Sequence, residues 1–138
     1  MAAPDPLERV AALAGAGASV VLTALVWRVL SIQQPMWPFP ALYFVELMAV
    51  GVLVAAAYIS ERRFRAAIAW AAGGIFAAFS LLAAWTVGLL YAPIALMFLA
   101  AGLISDSRQK QHPLAHAGIG ALAGLAQALL VLAMVRVF

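Results

Sequence analysis

The chain contains no cysteine and very little charge: its 138 residues include eight Lys and Arg, five Asp and Glu, and two His. Without a thiol there is no disulfide, no thiolate nucleophile and no cysteine set for an iron–sulfur cluster. Charged residues make up 9% of the chain, where a soluble domain has about a quarter. Too little polar side chain remains to cover a soluble fold, which excludes Rossmann, P-loop and hydrolase domains, nucleic-acid modules and disulfide scaffolds. Also missing are a Ser-His-Asp set, an HExxH motif, a nucleotide-binding glycine loop and a carboxylate dyad. The expectation is a protein that is not an enzyme, needs no cofactor and binds no nucleic acid.

Apolar residues dominate: 67% of the chain is hydrophobic and the mean hydropathy is +1.08. A transmembrane helix takes about 20 residues, so about five spans account for most of the length. The predicted fold is all-α: a polytopic membrane helix bundle forming a single transmembrane domain over 1–138, with spans near 10–30, 41–59, 66–87, 91–105 and 113–136. Three prolines between Pro35 and Pro40 forbid one helix running through the first connection. The stretch from Ala66 to Ser105 carries no charge. As one helix it would be about 60 Å long, twice the hydrocarbon thickness, so it must fold back. Gly88 suits the end of one helix and Pro93 the first turn of the next.

Cations set the expected topology. Arg62, Arg63, Arg65, Arg108 and Lys110 sit in two short connections, which by the positive-inside rule face the cytoplasm together with the N-terminus. Trp27, Trp37, Tyr43, Trp85 and Tyr91 then fall at the outer interface as an aromatic belt. The start lacks a basic n-region and the first apolar run exceeds a typical h-region, so it reads as a retained span rather than a signal peptide. Seven Arg against one Lys fits a GC-rich bacterial genome, and the expected location is a bacterial inner membrane.

Few residues inside the spans can carry chemistry. Arg28 and Glu46 fall at similar depth in the first antiparallel hairpin and could pair, either as an ion pathway or as an interfacial anchor and its partner. Gln127 sits at mid-depth in the fifth span, where an unpaired amide is costly, so it faces another helix. His112 and His116 are four residues apart on one helical face. They read either as a cofactor mount or as a polar pair at a helix start; two His do not complete a metal site. Gly120 with Gly124, and Gly15 with Ser19, have the small-xxx-small spacing of close helix contacts. The expected partners are lipid and other membrane subunits or further copies of this chain. The expected role is a non-catalytic accessory subunit or homo-oligomer; the alternative is a small oligomeric carrier or channel using Glu46 and Arg28.

Overall fold

Asp5 starts the first helix with a capping box. Its side chain accepts from the Leu7 N–H at 2.7 Å, the Glu8 carboxylate accepts from the Asp5 N–H at 3.3 Å, and Pro6 occupies the first helical position. These contacts satisfy backbone donors that a helix start leaves open. In the computed structural model, which describes residues 4–61, 63–109 and 113–137, α1 accordingly spans Pro6–Gln33 and begins four residues before its apolar run. It ends at Gln34, whose extended backbone leads into Pro35.

The remaining helices are α2 (Phe39–Ile59), α3 (Arg65–Leu82), α4 (Ala92–Gln109) and α5 (Pro113–Val137). A 3-10 turn over Gly88–Tyr91 leads into α4. Together they give a 22-residue segment, Gly88–Gln109, long enough to cross about 30 Å of hydrocarbon. The expected span stopped at Ser105, but the helix continues through four polar residues to Gln109. α2 closes through Glu61, which has φ 49°, a left-handed residue in the position where helices commonly end. Among the described residues, five helices are long and apolar enough to cross a membrane.

Helices α1 to α4 form a ring. α1 lies between α2 and α4, and α3 closes the ring between α4 and α2, while α5 leans on the outer side of α3. Leu47, Val54, Phe76 and Phe98 fill the centre of the ring. Small residues set how closely the helices approach. Gly15 meets Phe98 of α4, whereas Ser19 meets Gly51 of α2, so this small pair serves two neighbours. Along the α3–α5 seam, a Cβ on Gly74 would collide with the Gly120 backbone, and one on Gly124 would lie 2.9 Å from the Gly74 carbonyl. Any side chain at Gly74 would therefore push the two backbones apart.

Candidate functional sites: a buried polar layer and a carboxylate–amide contact

At the end of the bundle holding the arginine-bearing connections, polar side chains turn inward from all five helices. Glu8 of α1 and Arg65 of α3 form a 2.9 Å ion pair, with side chains only 1% and 2% exposed. Fully buried Tyr58 of α2 stands close enough to feel the charges of Glu8, Arg65 and Asp106. Asp106 of α4 takes one contact at each carboxylate oxygen. Trp70 of α3 donates its indole N–H to Oδ2 at 2.8 Å, and His116 of α5 places Nδ1 2.6 Å from Oδ1. Asp5, largely shielded, and exposed Arg108 add a pair at 2.6 Å between the start of α1 and α4.

This layer revises the reading of the cations. Arg65 counts as one of the topology-setting charges in sequence, yet its guanidinium is buried against Glu8. The Asp5-x-x-Glu8 spacing was the available signal. It placed Glu8 in the first turn of a helix, but nothing local announced a partner 57 residues away. The Trp70–Asp106 bond was equally invisible, because it joins helices across the α3–α4 turn.

His116 therefore has a partner, and the partner constrains its chemistry. Facing an ionised carboxylate, which only accepts hydrogen bonds, Nδ1 is the donor of this contact, and Nε2 is the ring nitrogen left for any other partner. The His116 side chain is 18% exposed, while that of Asp106 is fully buried. His112, the other half of the expected pair, lies outside the described residues. Among the described residues no cluster of three or more His, Cys, Asp or Glu has the placement to hold a metal ion.

A second polar contact lies deeper. Gln127 of α5, 4% exposed, donates through Nε2 to Glu46 Oε2 of α2 at 3.0 Å. Glu46 is about 10 Å along α2 from its first residue. The structure thus couples Glu46 to the amide rather than to Arg28. Arg28 is exposed and makes no ion pair among the described residues; Ser31 donates to its backbone carbonyl at 2.9 Å. Arg28 is exposed, while Glu46 engages α5. Gln127 does face another helix, and that helix belongs to the same chain.

The aromatic residues of the opposite end also divide. Trp37 and Trp85 are largely exposed, as an interfacial belt requires, but Tyr43 and Tyr91 turn into the core. The Tyr91 hydroxyl donates to Thr23 Oγ1 at 3.2 Å, and the ring meets Phe79 edge-on at 5.1 Å.

α5 carries two stripes on opposite faces. Gly120, Gly124, Gln127, Val131 and Met134, spaced by four, three, four and three residues, meet the rest of the chain. Leu122, Leu125, Leu129 and Leu132 follow the same spacing on the other side and are each more than half exposed. In its most apolar stretch α5 has 11% of its residues buried, against 33–44% for the other helices. Among the described residues, these features define an all-helical bundle of membrane-type helices with a buried polar layer, a carboxylate–amide contact between α2 and α5, and a largely unshielded α5. No family model matches the chain, and no curated protein or solved structure matches it either.

Proposed function

We propose that the chain is a polytopic protein of a bacterial cytoplasmic membrane, with its N-terminus in the cytoplasm. It works there without catalysis, as an accessory subunit or homo-oligomer acting through its helix faces. The outer stripe of α5 carries this reading. Apolar residues every 3.5 positions are the pattern of helices that pack side by side with a left-handed crossing. The inner face of α5 uses that period to meet the bundle, and Leu122, Leu125, Leu129 and Leu132 repeat it outward. Some charges are paired within the chain, as in Glu8–Arg65 and Asp5–Arg108, which suits a packing role. The arginine-bearing connections and exposed Trp37 and Trp85 support the orientation.

Because the chain has no cysteine, a single Leu125→Cys reports this face cleanly. In native membranes it is expected to form a disulfide or a bifunctional-maleimide crosslink to a second copy or a partner subunit. Native mass spectrometry of gently extracted wild type should show the matching mass. A monomeric mass without crosslinks at Leu125 would overturn the reading. A second reading, a small oligomeric carrier using Glu46, Gln127 and Arg28, is favoured by one observation, the Glu46–Gln127 bond. An intramembrane carboxylate is costly and commonly marks an ion or proton pathway. Proton-coupled flux abolished by Glu46→Gln in reconstituted vesicles would select it; its absence in wild type would remove it.

A further inference from the structure

At the proline-rich end of the bundle a cavity of about 230 Å³ lies between the end of α1, the start of α2 and the end of α3. Leu30, Tyr43, Phe44 and Phe79 form an apolar, largely aromatic wall, Gln34 and Thr86 stand at the mouth, and none of the residues lining it is charged. The wall is preformed. The Ala83 carbonyl accepts from the N–H groups of Thr86 at 3.0 Å and Gly88 at 2.7 Å, and from the Thr86 hydroxyl at 3.1 Å. Across the cavity, the Ala41 N–H donates to the Met36 carbonyl at 2.9 Å. The rings are held by their neighbours, with Phe44 6.0 Å from Trp27 and Tyr43 6.5 Å from Phe79.

We infer that this cavity binds a small, uncharged, flat aromatic molecule of one or two fused rings bearing one hydrogen-bonding group, of the indole or naphthol class. Size sets the upper limit: a dry cavity of about 150 Å³ takes up benzene, so half as much space again accommodates a bicyclic ring. The lining sets the chemistry, since aromatic walls offer edge and offset contacts to a flat ring. With no counter-charge in the lining, a charged ligand would lose its hydration unpaired. The mouth sets the polar end. The Gln34 side chain makes no hydrogen bond among the described residues, and Thr86 Oγ1 commits its proton to Ala83 but keeps a lone pair free. An apolar pocket with a few polar groups at its rim is the usual form of a small-molecule site. A lipid acyl chain would fill the apolar part while leaving both rim groups unused.

The test is a titration of 5-fluoroindole against the full chain in lipid nanodiscs, followed by fluorine NMR. Saturable binding is expected, weakened at least tenfold by Ala83→Phe, which fills the cavity, and several-fold by Thr86→Val and Gln34→Ala. Ala49→Phe places the same bulk at an exposed position of α2 and should leave binding unchanged. Uptake that rises without saturation, or that responds equally to Ala83→Phe and Ala49→Phe, overturns the assignment. If Ala83→Phe does not fold, wild-type affinity in both rim variants overturns it. Quenching of Trp27 by a brominated-acyl phospholipid that 5-fluoroindole fails to displace also overturns it, assigning the cavity to lipid.

Discussion

The two ends of the bundle solve the same packing problem with different forces. At the arginine-bearing end the helices converge on directional contacts: Glu8 with Arg65, and Trp70 and His116 with Asp106. At the proline-rich end they converge on ring shapes: Phe79 against Tyr91, Phe76 against Tyr91 and Trp27 against Phe44. Buried charges tolerate no vacancy, because removing one partner strands the other away from water. Rings tolerate gaps, since each lost contact is a small dispersion term. The polar end is therefore pinned by paired groups, and the aromatic end can hold a cavity among its rings.

Breaking the polar end should give the largest effects. Arg65→Met strands Glu8 and should cost about 3–5 kcal/mol of stability, read by thermal unfolding in detergent. Adding Glu8→Leu to it should recover most of that loss, because a buried pair replaced by apolar residues is often close to neutral. If the double variant is as unstable as the single, the stranded Glu8 charge is not what makes the Arg65 variant unstable. Asp106→Asn removes the charge from two hydrogen bonds and should cost about 1.5–3 kcal/mol. Deuterium exchange should rise in the first turns of α5, where His116 is held, before it rises in α2. At the aromatic end Tyr91→Phe loses only the bond to Thr23, worth about 0.6 kcal/mol in measured membrane bundles; a loss above about 2 kcal/mol would place that end among the directional contacts. The smallest effect is a gain. Glu61 adopts φ 49° while exposed, so Glu61→Gly should raise stability by up to about 1 kcal/mol by relieving a left-handed non-glycine residue.

Much of the fold was legible because its signals are local. Pro35, Pro38 and Pro40 marked the first connection, the charge-free length from Ala66 to Ser105 required a turn, and Pro93 marked the start of the next helix, but the expected 66–87 span was too long: α3 stops at Leu82 and Gly88 opens the 3-10 turn instead of ending α3. Helix ends were less legible, since α1 and α4 both continue beyond their apolar runs on polar residues. Among the candidate residues, Gln127 was expected to face a helix and does; Glu46, which could have paired with Arg28, bonds Gln127. Shared depth in a hairpin does not set which way two side chains rotate, and Arg28 turns outward. Gly120 and Gly124 were read as contact residues without a destination; that destination is Gly74 and Trp70 of α3.

Composition and spacing by themselves determined that the chain is helical and divided into five helices long and apolar enough to cross a membrane, because hydropathy and proline act along the chain within a few residues. Only the tertiary structure decided that Arg65 is buried against Glu8, that Asp106 gathers Trp70 and His116, and that α5 stands outside the ring. Those outcomes depend on the rotation of each helix about its own axis. That rotation is set by long-range contacts between residues of different helices, and the near-uniform hydrophobicity of these helices leaves almost no trace of it in the sequence.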